Sequence, residues 1–569
     1  MNHRAVWQLA ALLGLALLAI AGLAPRATAQ PGEPAPLITG AVFDRQQLPV
    51  VDAVVTAWAG DDETPLAEAA TQQNGRFALA PAVPVAGALT LKIHRPHFHE
   101  TRIVLDGAQM ATLRAGETVA LEDTVLLRQV DASFWIAALV FVGVLVLIAT
   151  GRLHNALAAL LGMVTVLGVS YLGGAINEKL FIFDFRRSLT YVDWNVIFLI
   201  MGMMIVIAVV ERTGIFQWMA FRAYVLSRGR IWLLLLILMV VTGVASAFLD
   251  NVTTMLLMTP ISVQIALALG ITPLALLIPE VLASNVVGIS TLIGTPTNIL
   301  IGSYARISFN DFLRNLTPGV LMALAGLMIY SLLIYRRSLA SDGQASPLLL
   351  ERLSERARIT EPEHLRKAAW VGAGMLLLFI FGEHVHLVPA VTALMGATVL
   401  LLWIKPDIEE MIEAVDWTTL VFFIALFVVV GAVQEVGLIS FVAELIGRLV
   451  GDNLVLAMLA VIWLSAFLST IIANIPFTAA MLPVIGYLTI TIPGAESKVL
   501  FFCLSVGSAM GGNGSLIGAS ANMVTSGISE RAGYPITYGY FFRKGFPALL
   551  ITVSLATIWL LVRFIVLPK

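Results

Sequence analysis

Ser246-Ala-Phe-Leu-Asp250-Asn251-Val-Thr253-Thr254 and Ser469-Thr-Ile-Ile-Ala473-Asn474-Ile-Pro476 lie 223 residues apart and read as two copies of one polar interruption. Each sits near the middle of an apolar stretch, 231–268 in the first case and 453–492 in the second. A polar backbone break is costly in lipid unless it is buried against protein or lines a water-filled cavity. Each stretch therefore reads as a re-entrant hairpin with a polar tip rather than as one crossing.

The same register extends outward from the tips. Val192-Asp193-Trp194 returns as Val415-Asp416-Trp417, Gly214 as Gly437, and Pro260 as Pro483, all at an offset of 223. One inserted residue later, Gly294 meets Gly518 and Asn298 meets Asn522. These last pairs belong to a second kind of interruption. Gly288-Ile-Ser290-Thr291-Leu-Ile-Gly294-Thr295-Pro296-Thr297-Asn298 and Gly511-Gly512-Asn513-Gly514-Ser515-Leu-Ile-Gly518-Ala-Ser520-Ala-Asn522 break apolar crossings with glycine and proline. Polar residues that are rare in membranes keep one register for more than 100 residues, which identifies an internal repeat.

Apolar segments at about 133–150, 154–175, 194–212, 274–304, 316–335, 367–382, 388–404, 417–434, 498–526 and 545–567 are long enough to cross some 30 Å of hydrocarbon. Each repeat thus holds five crossings and one hairpin. Five is odd, so the second copy enters the membrane upside down, the arrangement of many secondary transporters whose sites lie at the repeat interface. Lys and Arg concentrate in cytoplasmic loops. With the first crossing running inward, Arg152, the 213–230 segment, the 336–366 linker and the 527–544 loop are cytoplasmic, and Lys569 is outside. The 176–193 loop, with Lys179, Arg186 and Arg187, falls outside against that rule.

Composition agrees with a polytopic α-helical membrane protein. Of 569 residues, 59% are hydrophobic and 12% charged, and mean hydropathy is +0.91. The net charge of −2 gives no reason to expect a nucleic-acid partner, and one cysteine, Cys503, excludes an intrachain disulfide. Residues 1–29 read as a signal peptide or first membrane anchor, with Arg4, an apolar run over 6–24 and Ala27-Thr28-Ala29 before the cleavage point. Residues 37–128 differ from the rest. Short alternating runs at 37–43, 51–58, 75–79, 89–93 and 102–105, separated by turns such as Asn74-Gly75, predict a small extracytoplasmic β-sandwich. His94, His97 and His99 would place only the last two on one face of a strand, which fits a solvated strand end better than a metal site.

Two resemblances follow from these residues. Gly40, Val42, Asp44, Pro49, Ala53 and Asn74-Gly75-x-Phe77 resemble the carboxypeptidase regulatory-like domain, which implies a binding or spacer module over 37–128. Phe248-Leu-Asp-Asn-Val-Thr-Thr254, Thr259-Pro260 and Gly294-Thr-Pro-x-Asn298 resemble the ion transporter superfamily over 133–569. Within that superfamily the chain looks most like the D-type sodium/proton antiporters and the melanosomal P protein group, with arsenite permeases and citrate-transporter-like domains nearby. The resemblance implies a homodimer. In related divalent anion/sodium symporters, hairpin Ser-Asn and broken-helix Gly positions bind sodium. Carried over, this implies one site at Ser246, Asp250, Asn251, Thr253, Gly294, Thr295 and Asn298, and another at Ser469, Asn474, Gly518 and Asn522. Sodium itself would be held by Asp250, Asn251, Asn298, Asn474 and Asn522. The chain departs from those symporters at Asp250 and Ala473, where they carry serine. That departure argues against two-sodium symport and against a carboxylate substrate.

The residues thus lead to a secondary active ion transporter of sodium/proton antiport type in the plasma membrane. A carrier of a small anion such as citrate, a dicarboxylate, chloride or arsenite is the alternative, favoured by paired helix N-termini. Against it, residues 246–262, 281–305, 466–485 and 505–528 contain no Lys or Arg. A receptor or scaffold that binds an unknown ligand through its β-domain is a third reading. The partners expected are the lipid bilayer and small ions. No Walker A sequence is present, no cofactor or enzymatic activity is expected, and Glu211, near a crossing end, reads as interfacial.

Overall fold

A computed structural model describes residues 36–45, 49–59, 64–81, 88–339, 355 and 357–567. The signal reading over 1–29, most of the 336–366 linker and Lys569 lie outside them. The chain divides after Gln129 into two compact units.

The first unit is a β-sandwich. Its strands are β1 (Ile38–Asp44), β2 (Val54–Ala59), β3 (Ala67–Ala70), β4 (Arg76–Leu79), β5 (Leu89–His94), β6 (Thr101–Val104), β7 (Val119–Ala120) and β8 (Thr124–Leu126), with helix α1 (Gly107–Arg114) before β7. One sheet runs β4-β1-β7, with β8 also on β1, and the other runs β3-β2-β5-β6. Alternation builds the core: Leu89, Leu91 and Ile93 point inward from β5 onto Ile38, Val55 and Leu79. Sequence reading finds five of these strands. It misses β3, whose Ala-Glu-Ala-Ala lacks β-branched residues, and the two- and three-residue strands β7 and β8. Gly75 at φ +74° closes a turn in which a Cβ would stand 2.5 Å from the Val42 carbonyl. His94 closes β5 as an exposed strand end, and His99 is exposed beyond it. His97 is buried in a turn at φ +67°, and no cluster of three metal-binding side chains exists among the described residues.

The second unit consists of two inverted repeats, each running through ten helices of at least six residues in the same order. The first has α2 (Ala132–Thr150), α3 (Asn155–Gly168), α4 (Phe185–Thr190), α5 (Trp194–Arg212), α6 (Ile215–Ser227), α7 (Ile231–Phe248), α8 (Asn251–Ala268), α9 (Leu274–Val287), α10 (Pro296–Ala305) and α11 (Phe309–Ile334). The second has α12 (Pro362–Phe381), α13 (Pro389–Ile404), α14 (Ile408–Glu413), α15 (Trp417–Glu435), α16 (Leu438–Val450), α17 (Leu454–Ile471), α18 (Asn474–Thr491), α19 (Val499–Gly511), α20 (Ser520–Arg531) and α21 (Tyr538–Leu561). Among the described residues, eleven helices are long and apolar enough to cross a membrane.

The repeated motifs are helix signals. Asp193 caps α5 by accepting from the amides of Asn195 and Val196, and Asp416 caps α15 through those of Thr418 and Thr419. Gly214 and Gly437, at φ +75° and +88°, turn the chain into α6 and α16. Those two 13-residue helices reach only about 20 Å, too short to cross, and replace what the sequence suggested was plain loop. The hairpins are α7–α8 and α17–α18. Their first arms pack on α9 and α19 of their own repeat, and their second arms cross over to α20 and α10 of the other.

Candidate functional site

Each hairpin tip docks into the break of the helix that follows it, and the two docks are built alike. Helix α9 ends in a 3-10 turn at Gly288–Ser290, and Pro296 restarts the chain as the first residue of α10. Thr291 donates its hydroxyl to the Ala247 carbonyl at the tip and accepts from the Gly294 amide. In the second repeat Ser515 donates to the Thr470 carbonyl and accepts from Gly518. Gly294 has no room for a side chain, since a Cβ would lie 2.3 Å from the Gly288 carbonyl and 2.6 Å from that of Ser246. At Gly518 the same distances are 2.8 Å to Gly512 and 2.9 Å to Ser469.

Asn298 and Asn522 brace these breaks. The Asn298 amide donates to the carbonyls of Ile289 and Thr291 at 2.9 and 2.7 Å. Asn522 donates to Gly512 and Ser515 at 2.8 and 2.9 Å. Their amide oxygens are engaged as well, Asn298 by the Ser505 hydroxyl and Asn522 by the Asn285 amide. The hairpin serines follow suit: Ser246 accepts from Ser284, and Ser469 donates to the Ser508 carbonyl. Thr295 caps α10. The backbone N–H of Asn474 donates to the Gly518 carbonyl at 3.1 Å.

Asp250 is the exception to this symmetry. Its carboxylate caps α8 by accepting from the amides of Val252 and Thr253 at 2.8 and 3.0 Å and from the Thr253 hydroxyl. Ala473, its counterpart, leaves α18 without a side-chain cap. Asn251 donates to Asn285 at 2.7 Å, and Asn285 donates to Asn513 and Asn522 at 2.9 and 3.0 Å. This asparagine chain ties the tip of one repeat to the break of the other. Asn285 escaped sequence reading because it has no counterpart in the second repeat.

The tips meet at a cavity of about 520 Å³. Asp250 and Thr253 reach it from the first hairpin, Ala473 and Pro476 from the second, and Pro296 and Ser520 from the restarting helices. Asp416, Glu211 and His154 line it too, and none of its lining residues is Lys or Arg. Glu211 is therefore not merely interfacial; it faces the same space as Asp250. Burial works to raise the Asp416 carboxyl, but hydrogen bonds from Thr418 and Thr419 outweigh it and hold the group below the usual carboxylate range. A second cavity of about 490 Å³ uses the repeat-related elements: the starts of α5 and α13 and the length of α10. No hairpin-tip residue lines it. Only one of two equivalent approaches thus reaches the tips.

The family model described as Citrate transporter, CitMHS, matches residues 145–495. An uncharacterized transporter of Mycobacterium tuberculosis is 35% identical over 439 residues, covering 76% of this chain and 99% of that protein. The human P protein is 31% identical over 518 residues, covering 77% of this chain and 61% of that protein. The crystal structure of the Alcanivorax borkumensis YdaH transporter covers 72% of this chain and 98% of its own at 13% identity and a TM-score of 0.48. The matching model spans more than half of the sequence, across both hairpins and the first break, and the chain belongs to the CitMHS citrate transporter family.

Proposed function

We propose that this transporter exchanges sodium for protons, with Asp250 as the group that holds one or the other. The observation that carries the reading is the cavity at the tips. It presents Asp250, Glu211 and Asp416 and neither Lys nor Arg, so it attracts cations and repels anions. Beside Asp250, the oxygens of Ser246 and the Gly294 break offer hard ligands of the kind sodium takes, as do Ser469, Asn474 and Gly518 in the second repeat. Asn251, Asn298 and Asn522 shape these sites through their hydrogen bonds. Paired breaks at a repeat interface suit alternating access.

The proposed setting is the plasma membrane, with the β-sandwich and C-terminus outside and the 336–366 linker inside. In that orientation His154, Glu211 and Asp416 stand at the cytoplasmic end, and the larger cavity is the inward approach. The β-sandwich is proposed as an accessory ligand-binding or spacer module, and the assembly as a homodimer.

One observation favours a second reading, a carrier of a small anion such as citrate. Helices α18 and α20 begin at Ala473 and Ala519 without side-chain caps, and Ile475, Pro476 and Ser520 bring their amide ends to the cavity. Purified protein in liposomes separates the two. Sodium added outside proton-loaded vesicles should drive proton efflux, read by an enclosed pH dye, while labelled citrate should show no counterflow. Citrate counterflow without sodium-driven proton movement would reverse the assignment.

A further inference from the structure

We propose that Glu280, in α9, is a proton-binding site separate from the hairpin-tip site. The proposal deepens the sodium/proton reading and rests on it for the role of the proton.

Glu280 is fully buried in a helix of otherwise apolar and small polar residues. Its Oε2 accepts from the Ser262 hydroxyl at 2.9 Å and from the Thr242 hydroxyl at 3.2 Å. Its Oε1 is buried without any hydrogen-bond partner. The two donors come from the two arms of the first hairpin, Thr242 from α7 and Ser262 from α8. The carboxyl therefore joins both arms to α9 at one point, below the tip.

Neither arm brings a charge to meet it. Helices α7 and α8 contain no titratable residue. The other helices packed on α9 carry Asp311, Arg314 and Tyr330 in α11, Cys503 in α19, Glu530 and Arg531 in α20, and Tyr538, Tyr540, Arg543 and Lys544 in α21. None of these pairs with Glu280 among the described residues. An ionised carboxylate here would be a lone charge in a dry interior, which is strongly disfavoured. The closed arrangement thus holds the neutral acid. Both hydroxyls meet Oε2, which leaves Oε1 as the oxygen that exchange with water must reach.

Accepting two hydroxyls needs only a carbonyl oxygen. What a carboxyl adds is the capacity to give up a proton, and that requires water to reach Oε1. Loss of the proton therefore goes with parting of α9 from the hairpin arms, and uptake with their closure. Water is the source and the acceptor of the proton, and no other bond changes. Repeat 2 aligns Cys503 or Leu504 with this position, so the device belongs to one hairpin only, the same one that bears Asp250.

Infrared difference spectroscopy of full-length protein across a pH titration tests this directly. Wild type should gain a protonated-carboxyl band on acidification that is missing from Glu280→Gln. Ser262→Ala should keep the band and move its frequency, which maintains the test if Glu280→Gln fails to fold. In liposomes, Glu280→Gln should retain sodium–sodium exchange and lose sodium–proton exchange by about tenfold or more. A band unchanged in Glu280→Gln, or one that responds to sodium at fixed pH, would overturn the assignment. Wild-type protein without sodium–proton flux would overturn the transport reading, and the infrared result would still decide whether Glu280 binds the proton.

Discussion

Glu435 stands 223 residues after Arg212, so the two occupy the same place at the ends of α15 and α5 with opposite charge. Each pairs across the repeats with a short helix. Glu435 meets Arg187 of α4 at 3.3 Å and also accepts from the Tyr191 hydroxyl, while Arg212 meets Glu410 of α14 at 2.6 Å. Residues 187 and 410 are themselves 223 apart. The ion pairs are one contact made twice with the signs exchanged. Arg187, which broke the rule for basic loops, is matched by an acid rather than left facing solvent.

The two pairs differ in burial, and this sets the first prediction. The Glu435 side chain is 5% exposed, whereas those of Arg212 and Glu410 are 45% and 56% exposed. Removing one partner of a buried pair strands the other charge and costs about 3–5 kcal/mol. An exposed pair contributes under about 1 kcal/mol. Arg187→Ala should therefore lower the melting temperature in detergent clearly, and Arg212→Ala hardly at all. The reversal Arg187→Glu with Glu435→Arg should recover much of the loss. Equal melting of both single variants would show that the buried pair is not a structural tie.

The second prediction concerns the breaks. Gly294→Ala and Gly518→Ala force a methyl against two carbonyls each, and overpacking of this kind costs about 1–3 kcal/mol. The strain falls where tip and broken helix must fit, so transport should drop more than expression. Gly374→Ala, where a Cβ meets nothing within 4 Å, should preserve transport and stabilise its helix by up to about 1 kcal/mol. Flux through Gly294→Ala at the wild-type rate would mean that tip and break part during transport.

Much of this was legible because expensive residues announce themselves in a membrane. Asn251, Gly294 and Asn298 stand out from apolar neighbours, and their repetition in one register, with a single inserted residue, located both hairpins and both breaks. The roles of Asn298 and Asn522 were not legible. An amide that could ligate an ion is spent on carbonyls seven to ten residues away, and only the turns between α9 and α10 and between α19 and α20 reveal that. Asn285 and Glu280 went unread because they have no repeat partner, although Glu280 in an apolar helix is a signal of its own. Helices α6 and α16 were missed because 13 residues are too few for a span.

Topology gives the third prediction. With the proposed orientation, a single cysteine at Ala345→Cys in a Cys503→Ser background should resist an impermeant thiol reagent in intact cells and react after permeabilisation. Cys503 is buried, so its replacement removes little background. Labelling from outside would invert the assigned orientation.

A fourth follows from the division of the chain after Gln129. Every matched polar pair lies beyond residue 190, so the β-sandwich should be dispensable for exchange. Deleting 31–128 with a short linker retained should leave measurable flux in liposomes. Loss of all flux from a correctly inserted, folded variant would place the sandwich in the transport mechanism.

The last prediction turns on Asp250 and Ala473, equivalent in register and opposite in chemistry. An aspartate within the membrane costs about 2.5–3.5 kcal/mol when ionised, and a proton or a bound cation relieves that cost. Two ligands that relieve one charge compete, so sodium affinity should fall as pH falls, with a limiting slope of one proton per ion. Asp250→Asn cannot take part in that competition and should abolish pH-dependent sodium transport. The plainer role is the cap that Asp250 provides to α8, typically worth about 1 kcal/mol, and asparagine caps comparably. A cap alone therefore predicts a nearly silent Asp250→Asn. Ala473→Asp would cap α18 and place a second acid at the cavity, altering the number of protons moved per sodium. Sodium-driven proton flux in Asp250→Asn at the wild-type rate and pH dependence would remove Asp250 from the exchange. The open amide ends of α18 and α20 would then become the better guide to the substrate.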